Sequence, residues 1–249
     1  MKKLIINADD FGYSRGINFG IIDAHQLGVL TSTTFMTNMP GADHAAELAK
    51  QNPKLGIGVH LVLTCGKPLL DTHKTIVDSQ GNFRKVDFYK GAFTIDYDEV
   101  YQEWKAQIER FLSYGLEPTH LDSHHHTNSF GEIPNVFLKL AKEYNLPVRN
   151  NMSPEYLLKV KEKGIKTTDA FLYVLETSIK DDYSLDRLFD GHETVEVMTH
   201  PGYLDKEILT GSSFSYPRVD ELELLMNPTI MELINNRKDI QLSTFKAIR

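Results

Sequence analysis

At 249 residues, with 41% hydrophobic and 24% charged side chains, the chain can bury a substantial core and has the composition of a soluble globular protein of one large or two small domains. A formal net charge of -7 without a basic stripe argues against a nucleic-acid surface, because phosphate recognition depends on clustered Lys and Arg. The apolar run Leu4-Ile5-Ile6 is too short for a secretory leader, no stretch is long enough to span a bilayer, and the single Cys65 allows no intrachain disulfide, so a cytoplasmic protein is expected.

In chain order, the pattern predicts a strand over about 3–8, then a helix whose apolar face uses Ile17, Ile21, Ala24 and Leu27, with Ser14 as cap and Gly28 as stop. A strand over 31–37, a short helix over 41–51 and a strand over 55–62 follow. This β-α-β-α-β alternation favours a parallel sheet with right-handed crossovers. Between 64 and 96 the periodicity dissolves around Phe83, Phe88, Tyr89 and Phe93, which reads either as a substrate-binding cap or as a β-hairpin over a barrel mouth. Residues 98–114 form a strong amphipathic helix through Val100, Trp104, Ile108, Phe111 and Leu112, closed by Gly115. A strand over 117–124, a helix over 133–144 and a short strand over 146–149 come next. The stretch 154–190 reads as mostly helical with a break near Gly164. A strand over 194–199, helices over 218–226 and 229–236 and a closing strand over 240–245 complete a single α/β domain spanning 1–249, a barrel of seven or eight mostly parallel strands.

Polar clusters fall where these strands end: Asp9-Asp10-Phe11-Gly12, His60, the segment His120-Leu121-Asp122-Ser123-His124-His125-His126, and His200-Pro201-Gly202. Active sites of parallel α/β proteins are built at that edge. One Asp and two His from separate strands would leave open positions on a metal, as hydrolysis requires. Imidazole favours zinc or another transition ion, whereas carboxylate with water permits magnesium. Paired Asp residues also serve as plain turn or cap residues, and on a strict strand neighbours diverge, so Asp9 and Asp10 can share a site only if the chain turns, which Gly12 permits. The same alternation puts His120, Asp122, His124 and His126 on one face, so at most two of the last three histidines should reach one pocket while the strand stays extended. His200 suits a general acid or a turn cap. Cys65 reads as a buried thiol and the acidic run 220–223 as a water-exposed helix face. There is no phosphate loop, no Gly-x-Ser-x-Gly elbow and no Cys-x-x-Cys pair.

Together, Asn7-Ala8-Asp9-Asp10-Phe11-Gly12, Thr31-Ser32-Thr33-Thr34, Gly58-Val59-His60-Leu61-Val62-Leu63-Thr64, Gly66-Lys67-Pro68-Leu69, Pro118 through His126 and Thr199-His200-Pro201-Gly202-Tyr203 resemble the YdjC-like carbohydrate deacetylases, the group that includes chitooligosaccharide deacetylase. The resemblance implies a distorted, TIM-like (β/α) barrel that removes N-acetyl groups from amino sugars or chitooligosaccharides. It implies a divalent metal, usually Mg2+, with Asp10, His60 and His124 as ligands, Asp9 as base, a small carbohydrate substrate and a homodimer. His200 as acid follows from a looser similarity to polysaccharide deacetylases. The chain departs at Thr127-Asn128, where relatives often carry a further histidine. Two other readings share the residues: a two-His, one-carboxylate iron oxygenase, and a non-catalytic sugar-binding module with a structural metal.

Overall fold

In the computed structural model, which describes residues 1–173, 179 and 181–248, seven strands form one sheet. They are β1 (Lys2–Phe11), β2 (Ser32–Phe35), β3 (Gly56–Leu61), β4 (Leu121–Ser123), β5 (Ala170–Leu172), β6 (Thr194–Thr199) and β7 (Ile240–Leu242). The order is β4-β3-β2-β1-β6-β5, with β7 paired to the start of β1, and every ladder is parallel. Single-residue parallel bridges from Val148 to Leu121 and to Thr167 carry the sheet from β4 toward β5 and curl it into a distorted barrel. Leu4, Ile5 and Ile6 are all buried, as expected of a central parallel strand covered on both faces.

Ten helices among the described residues surround the sheet: α1 (Arg15–Leu27), α2 (Ala42–Gln51), α3 (Val86–Tyr89), α4 (Tyr97–Ser113), α5 (Ile133–Glu143), α6 (Pro154–Glu162), α7 (Asp182–Leu188), α8 (Lys206–Gly211), α9 (Pro217–Leu225) and α10 (Pro228–Asn235). The Ser14 hydroxyl caps α1 by accepting the Ile17 N–H at 3.3 Å. Helix α4 buries Val100, Trp104, Ile108 and Phe111 against the core. Its carboxylates pin the 64–96 segment: Glu103 accepts the Leu69 and Leu70 N–H groups at 2.9 and 3.2 Å, and Glu99 accepts those of Lys74 and Thr75, each at 2.8 Å. Within that segment Val77 and Phe83 form an antiparallel bridge about a tight turn, with the Asp78 N–H donating to the Asn82 carbonyl at 2.8 Å and the Arg84 N–H to the Ile76 carbonyl at 3.2 Å, a hairpin of minimal length. No helix among the described residues is long and apolar enough to cross a membrane.

The element boundaries depart from expectation where the chain stops being regular. The strand expected over 117–124 is regular only at Leu121–Ser123, because a 3-10 turn begins at His124. The stretch 146–149 contributes bridges rather than a strand, and 154–190 holds β5 between two helices; residues 174–178 and 180 lie outside the described residues. After Leu242 the chain turns into a 3-10 helix, and Phe245 stacks on His120 at 3.7 Å between ring centroids. Gly58 makes room for that His120 ring, since a Cβ there would come within 2.5 Å of it. His120 is thus a packed interior residue below the site.

Candidate active site

The C-terminal end of β1 brings two adjacent carboxylates to one place through an extra residue. Ala8 and Phe11 pair with Thr33 and Phe35, so three steps along β1 match two along β2, which is a β-bulge. Asp10 takes a left-handed φ of 74°, and Gly12 follows at 94°. The turn that a shared site requires therefore lies at Asp10 itself as well as at Gly12. A side chain at Gly12 would meet the Met36 carbonyl at 2.8 Å.

Register supplies the rest. His60 pairs directly with Asp122 across β3 and β4, so the two side chains share a face. His60 Nδ1 donates to Asp122 Oδ1 at 2.7 Å, which leaves Nε2 free to face Asp10 Oδ1 at 3.5 Å. A carboxylate behind a histidine fixes its tautomer and strengthens it as a ligand. His124, in the turn after β4, places Nδ1 at 3.0 Å from the same Asp10 oxygen. Asp10, His60 and His124 are buried and each offers a ligand atom, all within 4.8 Å of one another. Asp10 Oδ1 is buried with no hydrogen-bond partner among the described residues, so a cation suits it. A second trio, Asp9, His60 and Asp122, also meets this spacing. Each of its four carboxylate oxygens already accepts a hydrogen bond, from Asn7, Arg149, His60 or Thr34, so it offers a cation no unused oxygen as Asp10 Oδ1 does.

Electrostatics agree with a cation site at the first trio. Burial would lower the pKa of His60, but the charges of Asp122 and Asp9 and the contact with Asp10 outweigh it and push it up to about 10. Burial also opposes protonation of His124, yet Asp10 raises it to about 9. Burial acts upward on Asp10 too, and Arg218 and His124 hold it well below the usual carboxylate range. A metal must displace protons from these raised imidazoles, so its affinity should rise with pH. We expect divalent-metal affinity to increase up to about tenfold per pH unit for each proton released, as pH rises from about 6 toward 9. Calorimetric titration at several pH values measures this, and a pH-independent dissociation constant would exclude these histidines as ligands.

Four further side chains surround the site without having been singled out from the sequence. Arg149, fully buried, donates from Nη1 and Nη2 to the two oxygens of Asp9 at 2.8 and 2.6 Å, from Nε to Glu196 at 2.9 Å, and pairs with Asp122 at 2.9 Å. Burial opposes ionisation of Asp9, but Arg149 holds its pKa far below the ordinary value. Burial lifts Glu196 to about 7 against the pull of the same guanidinium. Asn7 Nδ2 adds a hydrogen bond to Asp9 Oδ1 at 2.9 Å. Arg218, at the start of α9, donates to Asp10 Oδ2 at 2.6 Å. The charged residue inside β6, Glu196, and the polar Asn7 inside β1 could have been found, since each interrupts an otherwise apolar buried strand. Arg149 and Arg218 could not, because their partners are distant in sequence.

A cavity of about 560 Å³ opens over these groups. Asp9, Asp10, His60, His124 and His200 all line it, as do Lys85, Val86 and Asp87 of the 64–96 segment. His200 is half-buried; burial lowers its pKa, aided by Arg218, against Asp9 and Asp10. Its backbone N–H and the Thr199 hydroxyl both donate to Glu221. Glu221 is therefore half-buried against the end of β6, which corrects the reading of 220–223 as a purely solvated face; Asp220 and Glu223 are exposed. Cys65 is half-buried and lines the cavity rather than being sealed in the core. All three of His124, His125 and His126 reach this cavity. Strand alternation does not limit them, because the strand has ended and His125 and His126 adopt left-handed φ angles of 55° and 53°.

The family model described as YdjC-like protein matches residues 3–236. A protein of Clostridium beijerinckii named carbohydrate deacetylase is 45% identical over 250 residues, covering 99% of this chain and all of the relative. One of the same name from Geobacillus stearothermophilus is 44% identical, with 98% and 97% of the two chains covered. A crystal structure from Enterococcus faecalis V583, named for cellobiose-phosphate cleavage, superposes with a TM-score of 0.87 at 36% identity over 99% of this chain and 98% of that one.

Proposed function

The chain belongs to the YdjC-like protein family, and on that premise we propose that it is a metal-dependent hydrolase that removes N-acetyl groups from amino sugars or short chitooligosaccharides. One observation carries the reading: Asp10 Oδ1, which accepts no hydrogen bond among the described residues, faces His60 Nε2 and His124 Nδ1 beneath a cavity of sugar-accommodating size, in a chain whose relatives are named carbohydrate deacetylases. Asp10, His60 and His124 would hold the ion, with Mg2+ as the resident metal implied by the family and Zn2+ compatible with the two imidazoles. The chemistry such an ion would supply is polarisation of the acetyl carbonyl and a more acidic attacking water.

The chain's own residues then handle the protons. Asp9 is ionised, and its Oδ2 accepts a single hydrogen bond from Arg149, while Oδ1 accepts from both Arg149 and Asn7. Oδ2 thus keeps a lone pair for the proton of the attacking water. The new C–O bond gives a tetrahedral centre, and as the C–N bond breaks His200 in its protonated form, which Asp9 and Asp10 favour against burial, delivers a proton to the departing sugar nitrogen and is left neutral. Acetate and the free amine are the products. The residues form one domain, with the 64–96 segment as a cap whose Lys85, Val86 and Asp87 wall the substrate cavity.

The test is acetate release from a panel of N-acetylated amino sugars and chitooligosaccharides. We expect release that stops on chelation and returns when a divalent ion is added back. Oxygen consumption with iron dependence, and no acetate from any substrate, would sink the reading in favour of an oxygenase.

A further inference from the structure

The proposed chemistry uses His124 and leaves His126 without a role, although the fold builds a specific support for it. Its backbone occupies the left-handed region, which side-chain-bearing residues avoid unless the surroundings impose it. Phe171 and Tyr173 meet the ring edge-on at 5.9 and 5.3 Å between centroids. Behind it runs a hydrogen-bond chain whose direction is set at its far end. The Asn128 backbone N–H donates to Ser123 Oγ at 2.9 Å, so the Ser123 hydroxyl is left to donate to Asn128 Oδ1 at 2.7 Å. Asn128 Nδ2 then donates to Asn151 Oδ1 at 2.8 Å, and Asn151 Nδ2 to His126 Nδ1, also at 2.8 Å. Asn151 Nδ2 also approaches Asn128 Oδ1 at 3.3 Å, which favours the same amide orientations.

An imidazole nitrogen that accepts a hydrogen bond carries no proton, so the proton of neutral His126 is on Nε2. Nε2 has no hydrogen-bond partner among the described residues, and the side chain lines the cavity. We propose that His126 is a specificity residue, presenting Nε2–H as a fixed donor to an uncharged acceptor oxygen, hydroxyl or ring, of the sugar. The ligand class rests on the amino-sugar reading above. A donor locked in one tautomer selects for an acceptor at that position and against a group that can only donate.

The test is calorimetric binding of an N-acetylglucosamine disaccharide to the metal-loaded Asp9→Asn protein, in which turnover is removed. In that background His126→Phe should weaken binding about tenfold, the effect of losing one well-placed hydrogen bond. His126→Gln, whose Nε2 can stand where the imidazole Nε2 stood, should stay within about threefold, and metal affinity should be unchanged in both. Unaltered sugar binding by His126→Phe, or an equal loss in His126→Gln, would overturn the proposal, as would metal affinity falling in step with sugar affinity. Acetate release by the parent is scored separately. Disaccharide binding without release fails the deacetylase reading but still tests His126, and release with an indifferent His126→Phe fails only this inference. A parent that binds no amino sugar overturns both.

Discussion

Asp9→Asn is expected to lower the rate of acetate release by about 10²- to 10⁴-fold, the usual contribution of a positioned general base, while divalent-metal affinity stays near that of the parent. The substitution keeps the shape of the side chain and removes its charge. Asn7 and Arg149 remain in place around it, and Arg149 keeps Asp122 and Glu196 as partners. Asp10, His60 and His124 lose no direct hydrogen bond to Asp9, whose nearest oxygen is 4.0 Å from His60 Nε2. Acetate kinetics together with metal titration separate the possibilities. Full activity would mean that another base operates, and loss of the metal would mean that Asp9 is a ligand, as in the second trio.

Arg149→Met should destabilise the fold by about 3–5 kcal/mol, because it strips the counter-charge from buried carboxylates rather than removing a balanced pair. Asp9, Asp122 and Glu196 all contact this one guanidinium inside the barrel, and Phe171 covers it at 4.9 Å. A whole domain is stable by only about 5–15 kcal/mol, so the variant should melt roughly 10 °C lower or fail to accumulate. Arg149→Lys keeps the charge but lacks the fork that engages both Asp9 oxygens, and should recover part of the loss. Thermal unfolding of the three proteins checks this. A melting temperature for Arg149→Met equal to the parent's would show that the cluster is discharged by another route.

The strands that carry Asp9, Asp10, His60 and His200 were readable because each is a short apolar run ending in polar residues, and a parallel sheet gathers such ends on one edge. The 117–124 segment was harder. Its alternation was correct through Asp122, whose register with His60 follows from it, but nothing local announced that the backbone would leave the extended state at His124. The strand at Ala170–Leu172 was missed because three residues between helices give too little periodicity to read. Helix Lys206–Gly211 was missed for the same reason of length, although Asp205 caps it. Glu221 was misjudged because its neighbours Asp220 and Glu223 do face water, and only the approach of the β6 end to α9 turns it inward.

Local sequence by itself determined what depends on neighbours in the chain: the α/β alternation, the strand ends that bear carboxylate and imidazole, and the amphipathic face of Tyr97–Ser113. The tertiary structure alone decided which of those groups meet. The extra residue in β1 aims Asp9 and Asp10 into one site, Arg149 reaches carboxylates 27, 47 and 140 positions away, and Arg218 crosses 208 positions to Asp10. The physical reason is the range of the forces involved. Periodicity and capping act over one or two turns of chain, whereas a buried charge is stabilised by whichever opposite charge the closed barrel places beside it.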